Sequence, residues 1–140
     1  SRLDNIQAAI LSKKLPYTES WNADRKKAAL LYNEKLSHLD VKTPTTLPNA
    51  EHIFHLYVIE VENRDKILNY LRANGVMAQV HYPKVVHLQN CFNYLGYKKG
   101  DFPVAEAAAD RILSLPIYAE ILEEQIDIVI ETLAKALGKV

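Results

Sequence analysis

The side chains best suited to chemistry lie in one short stretch of the sequence. Two histidines, a tyrosine and a glutamine fall within nine positions: His81, Tyr82, His87 and Gln89. They follow a run of residues that predicts a strand over 76–82, and polar groups at the end of a strand are typical of binding sites. A loop whose histidines only bond backbone carbonyls explains the same residues, and composition alone favours that interpretation.

The sequence indicates neither a metal site nor a phosphate-binding loop. It contains no paired cysteines, no His-x-x-x-His spacing and no glycine-rich phosphate loop. His52 and His55 are three positions apart, but on a predicted strand that spacing directs them to opposite faces. We therefore expect no metal ligand set in this chain.

The composition bounds the class of protein. The 140 residues suit one domain or a piece of a larger protein, and 49% apolar and 24% charged residues are typical of a soluble globule. Basic and acidic residues number 17 each, so nothing favours nucleic acid, and no apolar run reaches the length of a membrane span. Cys91 is the single cysteine, which excludes an internal disulfide and fits a reducing compartment. We expect a cytoplasmic protein without a signal peptide.

The N-terminal part predicts a long, bent helix over residues 1–37. Leu3, Ile6 and Ile10 recur at helical spacing, which predicts an amphipathic helix from Leu3 onward. Pro16 lacks an amide hydrogen and is expected to kink it. The apolar pattern then resumes on one broad face, formed by Trp21, Ala28, Ala29, Tyr32 and Leu36.

The start and the length of this helix suggest a connector. Ser1 and Asp4 have the spacing of a capping box, in which each side chain bonds an amide of the helix start. A helix with no preceding segment suggests a chain cut from something longer. Its length exceeds the average of about 11 or 12 residues, which favours a connector between two lobes.

Residues 53–82 predict a compact strand–helix–strand unit. The strand over 53–61 carries bulky side chains on both faces, so we expect both faces to be covered or nearly so. Asn63 is expected to cap the following helix, and Gly75 to end it in the left-handed conformation. The second strand, 76–82, comes directly after that glycine.

Two further helices and a short strand are predicted in the C-terminal part. Asp101 is expected to cap a helix with Pro103 in its first turn. An edge strand over 113–115 ends at Pro116. The last helix has the clearest apolar stripe, formed by Ile126, Val129, Ile130, Leu133 and Leu137. The expected fold class is α+β, with a small sheet packed by helices.

Several motifs together resemble the sugar aminotransferases of the DegT/DnrJ/EryC1/StrS family. They occur in the family's order over nearly the whole chain: SRLDNIQAAIL (1–11), ESWN (19–22), HLYVI (55–59), HYP (81–83), HLQ (87–89), YLGY (94–97), GDFPVAE (100–106) and LSLPIY (113–118). Any one of these motifs alone is weak, whereas the set is highly specific.

The resemblance implies an enzyme of fold type I that depends on pyridoxal phosphate (PLP). Such enzymes transfer an amino group, usually from glutamate, to a nucleotide-linked keto-sugar, and work as homodimers. The match implies the interdomain helix, 1–37, and the small C-terminal domain, 38–140. The large domain with the Schiff-base lysine lies upstream in the family. None of the twelve lysines here sits in a family cofactor motif, so we expect this piece alone to bind no PLP and to be inactive.

The resemblance also implies two contacts with the active site of the intact dimer. Ser1 and Arg2 lie beside the position of an asparagine that reaches the partner's cofactor phosphate, which would place them in its vicinity. A helix cap at Ser1 and a structural ion pair at Arg2 remain equally open. His81 and Tyr82 lie where the family binds its substrate, so an imidazole and a phenol could bond the sugar or its diphosphate. His87 is open to a purely bracing role.

Two other functions remain open at this stage. The strand–helix–strand unit would also suit a stand-alone, non-catalytic module that binds a ligand or regulates. That alternative does not explain the first 37 residues, which look built to lean on another domain. A protein-interaction piece associating through Trp21, Ala28 and Tyr32 is the third interpretation.

Overall fold

The computed structural model describes residues 3–139, and they confirm the predicted α+β class. The helices are α1 (Asn5–Lys14), α2 (Thr18–Leu36), α3 (Arg64–Ala73), α4 (Pro103–Arg111) and α5 (Glu123–Leu137). The strands are β1 (Tyr57–Glu60) and β2 (Ile112–Leu115), and short 3₁₀ turns cover Leu15–Tyr17, Val86–Leu88 and Asn90–Leu95. Within the described range, no helix has both the length and the apolar content that a membrane crossing requires.

Helix α1 starts later than predicted and buries none of its residues. Asp4 is the cap, since its carboxylate accepts hydrogen bonds from the amides of Ile6 (2.9 Å) and Gln7 (3.3 Å). Asp4 therefore bonds amides of the helix start as predicted, but as the N-cap and not as the third helical residue of a capping box, and Ser1 lies outside the described residues. The apolar side chains here are exposed instead of packed: Leu3, Ile6, Ile10 and Leu11.

Pro16 separates two helices in the N-terminal region, and the predicted kink stays a prediction. It sits in the 3₁₀ turn between α1 and α2, where the missing amide hydrogen interrupts the α-helical bonding pattern. Beyond the turn, α2 buries the predicted face through Ala28, Ala29, Tyr32 and Leu36. Trp21 is half-buried and stacks on Tyr17, with ring centroids 5.8 Å apart.

Strand β1 is shorter than predicted and is fully covered on one face only. Phe54 has φ +50°, a left-handed conformation that prevents an extended strand from starting at residue 53. Tyr57 and Ile59 are buried, whereas Val58 and Glu60 on the other face are only half-buried. Tyr57 and Ile59 pack in the core with α2, α3 and α5, and the other face is partly covered.

Strand β2 is one of the two strands of the sheet, so it is an edge strand as predicted, with one isolated bridge on its outer side. It pairs antiparallel with β1, with Tyr57 opposite Leu115. On its other side, Ser114 exchanges two backbone hydrogen bonds with Gln79, at 2.8 and 3.1 Å. The predicted strand over 76–82 was wrong in extent, because Gln79 is its single paired residue in the described structure. Pro116 follows the strand end as predicted.

One predicted helix cap is confirmed in position but not in bonding, and another is wrong. Asn63 occupies the predicted position, but it has φ +52° and its side chain makes no capping bond. The carboxylate of Asp101 accepts from the Lys98 amide (2.8 Å), and Phe102 precedes α4 in the cap position. Gly75 does adopt the predicted left-handed conformation after α3, with φ +83°.

The core lies between β1, β2 and helices α2, α3 and α5. Its largest fully buried side chains are Tyr32, Tyr57, Leu36, Ile59, Ile67, Leu71, Leu113, Ile126 and Leu133. The rings of Tyr32 and Tyr57 stack at 4.7 Å, and burial raises the pKa of both phenols. Each hydroxyl has an acceptor, the Pro116 carbonyl for Tyr32 and the Asn33 amide oxygen for Tyr57. This core fixes β2, and with it the residue that contacts His81.

Candidate functional site

His81 is held against the sheet by a serine of β2. The two backbone bonds between Gln79 and Ser114 fix the extended segment beside the strand. His81 lies two residues after Gln79, and its Nδ1 is 2.9 Å from the Ser114 Oγ. Ser114 is 4% exposed and His81 is half-buried. The imidazole is therefore held at Nδ1 by Ser114, and His81 remains partly accessible to solvent.

His81 and Ser114 line a small cavity of about 150 Å³. The side chains or backbone of His55, Gln79, Met77 and Pro116 also contribute to its walls. Typical ligand pockets are larger, roughly 300–1,000 Å³. The cavity therefore suits one polar group of a ligand, and a complete site would need walls from additional residues.

Tyr82 extends the same polar surface into solvent. It is 72% exposed, and its ring meets the His81 ring edge to face at 5.6 Å. The peptide bond between the two residues is cis. Of the two predicted substrate-side residues, His81 is thus held by Ser114 and Tyr82 is exposed to solvent.

His87 belongs to a separate, bracing cluster. Its Nε2 is 3.0 Å from the Glu106 carboxylate, and its ring packs 4.7 Å from Phe102. Gln89 likewise does not line the His81 cavity. The four residues that the sequence groups together therefore separate. The rings of His81 and Tyr82 are in contact, His87 supports a loop, and Gln89 lies outside the His81 cavity.

Glu106 closes that loop by accepting several hydrogen bonds. The amide of Gly100 donates to both carboxylate oxygens, at 2.8 and 3.0 Å, and the Phe102 amide donates at 3.3 Å. The Gly100 amide foremost, with help from Phe102 and His87, holds the pKa of this carboxyl below its ordinary value of 4.5, although partial desolvation opposes the shift.

Acidification is expected to remove the contribution of Glu106 to stability. Because its pKa is lower in the folded chain, the contribution is complete above pH 4.5 and is lost as the pH falls through the folded value. Urea unfolding of the wild type and Glu106→Gln, measured from about pH 6 to about pH 3, tests this. The difference between the urea midpoints of the wild type and the variant should become smaller as the pH falls. A gap independent of pH would contradict the assignment.

His52 and His55 lie on one surface, which corrects the prediction of opposite faces. Both line a shallow depression of about 420 Å³ together with Glu51. The segment is not a strand, because Phe54 turns the backbone and donates its amide hydrogen to the Nδ1 of His52 (2.8 Å). Among residues 3–139, no group of three or more metal-ligating side chains comes together.

The described lysines all lie at or near the surface. Each of the twelve is exposed or half-exposed, and several are held in surface ion pairs. A reactive amine needs a lowered pKa. The pKa of Lys35 is instead raised, by hydrogen bonds to Asp127 and Glu123. Ser1 and Arg2, the residues expected near the cofactor phosphate, lie outside the described range.

Ser114 is the site residue that sequence reasoning missed. It lies in an otherwise apolar run, Ile112 to Leu115, that predicts a buried strand. A lone polar side chain in a buried strand requires a hydrogen-bond partner, and that requirement was the available signal. The identity of the partner depends on how the segment over 76–82 lies beside β2.

The comparisons with known proteins agree with the motifs. The model of the DegT/DnrJ/EryC1/StrS aminotransferase family matches residues 1–134. A "pleiotropic regulatory protein" of Geobacillus stearothermophilus is 42% identical over 138 residues, which are 96% of this chain and 37% of that protein. The dTDP-3-amino-3,4,6-trideoxy-alpha-D-glucose transaminase of Streptomyces venezuelae is 37% identical over 118 residues, 84% of this chain and 31% of the transaminase.

The fold agrees as well. The crystal structure of S. venezuelae DesV in complex with a ketimine intermediate superimposes with a TM-score of 0.93 at 34% identity. That match covers 99% of this chain and 38% of DesV. The chain thus spans about a third of the length of these proteins.

Proposed function

Since this chain belongs to the DegT/DnrJ/EryC1/StrS aminotransferase family, we propose that it is the C-terminal part of a PLP-dependent nucleotide-sugar aminotransferase. The match of almost the whole chain to DesV, at 34% identity, carries the proposal. The transaminase of S. venezuelae, whose name specifies a dTDP-linked amino sugar, supports a nucleotide-linked keto-sugar as the substrate. Glutamate is the proposed amino donor.

We propose that α1 and α2 join this small domain to a large domain. The exposed apolar side chains of α1 support an additional partner for that helix, because burial of such groups is favourable. The large domain would supply the lysine, the carboxylate at the pyridine nitrogen and the remaining walls of the site. A cytoplasmic homodimer, with Ser1 and Arg2 near the partner's cofactor phosphate, belongs to the same proposal.

The role proposed for this chain is to bind and orient the substrate. PLP, when bound, supplies the electron sink for amino transfer. His81 and Tyr82 present an imidazole and a phenol beside a cavity that suits one polar group. The proposed contact is a hydrogen bond from His81 to an oxygen of the sugar or its diphosphate, with Tyr82 on the outer side.

Comparison of the full-length gene product with the 140-residue chain tests the proposal. The full-length protein should transfer the amino group of glutamate to a nucleotide-linked keto-sugar, detected by mass spectrometry. The 140-residue chain, mixed with PLP and reduced with borohydride, should acquire no stoichiometric label, because its lysines are exposed or half-exposed and a reactive amine needs a lowered pKa. One lysine labelled stoichiometrically would contradict the second expectation. A full-length protein that neither binds PLP nor transfers the amino group would contradict the first.

A regulatory function is the second candidate, because the relative from G. stearothermophilus is named for regulation and not for catalysis. In that case the chain would act as a non-catalytic α+β module. The same comparison separates the two, since a regulatory module would leave the full-length protein without transferase activity.

A further inference from the structure

We propose that Ser114 is a positioning residue that holds the His81 imidazole with its proton on Nε2. The substrate side of this inference rests on the proposed function, in which His81 contacts the sugar nucleotide. The hydrogen bond between Ser114 and His81 does not depend on the proposed function, and it can be measured separately.

The backbone of Ser114 is fixed more firmly than that of a loop residue. It lies in the middle of β2, opposite Val58 of β1. Its amide donates to the Gln79 carbonyl and its carbonyl accepts from the Gln79 amide. With 4% of the residue exposed, its hydroxyl has little access to water. The position of the Oγ is therefore set by the sheet.

The direction of the hydrogen bond follows from the hydroxyl's need for an acceptor. A buried O–H without an acceptor is costly, and the Nδ1 of His81, at 2.9 Å, is the hydrogen-bonding partner of this oxygen among the described residues. The hydroxyl therefore donates to Nδ1. In a neutral imidazole the proton then resides on Nε2, which becomes a donor.

A fixed Nε2 donor selects the kind of atom that His81 can bind. It suits an acceptor oxygen, such as a sugar hydroxyl, a keto oxygen or a diphosphate oxygen. The opposite tautomer would present a lone pair and would lose that contact. Ser114 thus prepares the ring before the substrate arrives, which reduces the ordering cost of binding.

The first test measures the tautomer directly. In the ¹⁵N-labelled 140-residue chain at alkaline pH, the His81 nitrogen shifts should report a proton on Nε2 alone. Ser114→Ala should give a mixture of tautomers, and Ser114→Thr, which keeps the hydroxyl, should restore the single form. Ser37→Ala removes a serine hydroxyl that bonds the Glu34 carbonyl and serves as the matched control. Unchanged nitrogen shifts in a folded Ser114→Ala chain would overturn the proposal.

The second test measures the consequence in the full-length gene product. Ser114→Ala should raise the KM for the sugar nucleotide roughly two- to tenfold, the range expected for one hydrogen bond, with little change in kcat. Ser114→Thr should return KM toward the wild-type value. If Ser114→Thr leaves KM high although its His81 nitrogen shifts match those of the wild type, the rise in KM is a packing effect. That result would overturn the proposal. If His81→Ala leaves KM unchanged, the substrate contact of His81 fails, while the nitrogen shifts still decide the positioning.

Discussion

Replacing Leu133 by alanine is expected to destabilise the 140-residue chain by about 2–5 kcal/mol. Leu133 is fully buried on α5, in the core that fixes β2. Its truncation loses the transfer free energy of the removed atoms and leaves a cavity that close-packed neighbours fill only in part. Because domains of this size are stable by about 5–15 kcal/mol, the loss is a large fraction of the total. Urea denaturation measures this loss of unfolding free energy, as a shift of the midpoint concentration at an unchanged m-value.

Ile128→Ala on the same helix is the matched control. Ile128 is 58% exposed, so its truncation removes a comparable side chain without opening a core cavity. Its effect should lie within about 0.5 kcal/mol, as for most surface substitutions. Equal losses for the two variants would contradict the assignment of the core.

The second large effect is expected at His81 in the full-length gene product. His81→Ala should raise the KM for the sugar nucleotide roughly tenfold or more, because a buried or charge-assisted hydrogen bond to the substrate is lost. The visible absorbance of the bound cofactor should stay unchanged, since the lysine that holds PLP is proposed to lie in the large domain. Steady-state kinetics and absorbance spectra measure the two quantities.

His38→Ala is the control for the loss of an imidazole. His38 is exposed beyond the end of α2 and lines none of the cavities around His81. Its KM should equal that of the wild type. If His81→Ala also gives a wild-type KM, His81 has a structural role alone. If it abolishes cofactor absorbance, the residue supports folding or PLP binding instead of the substrate.

The predicted helices were largely right, because their patterns are local. The apolar stripe of α5 and the face of α2 come from spacing alone, and the break between α1 and α2 at Pro16 comes from a missing amide hydrogen. The helix ends were less predictable. Asp101 has the chemistry of a cap, but its carboxylate bonds the Lys98 amide, since several local amides compete for one acceptor.

The strands were predicted less well, because pairing is not local. The segment over 76–82 has the composition of a strand, but only Gln79 pairs with β2. The run over 113–115 is an edge strand as predicted, but the sequence did not identify β1 as its antiparallel partner. Which strand lies beside which depends on how the helices place them, and a pattern within one segment does not contain that information.

The stretch from 76 to 89 shows what each level contributes. By itself the sequence determined the residue types, the family motifs and the helical periodicity, since all three are properties of neighbouring positions. Only the tertiary structure decided that His81 meets Ser114, 33 positions away, and that His87 turns instead to Glu106. Both contacts arise because the core aligns segments that are distant in the chain. That alignment places His81 beside Ser114 and His87 beside Glu106.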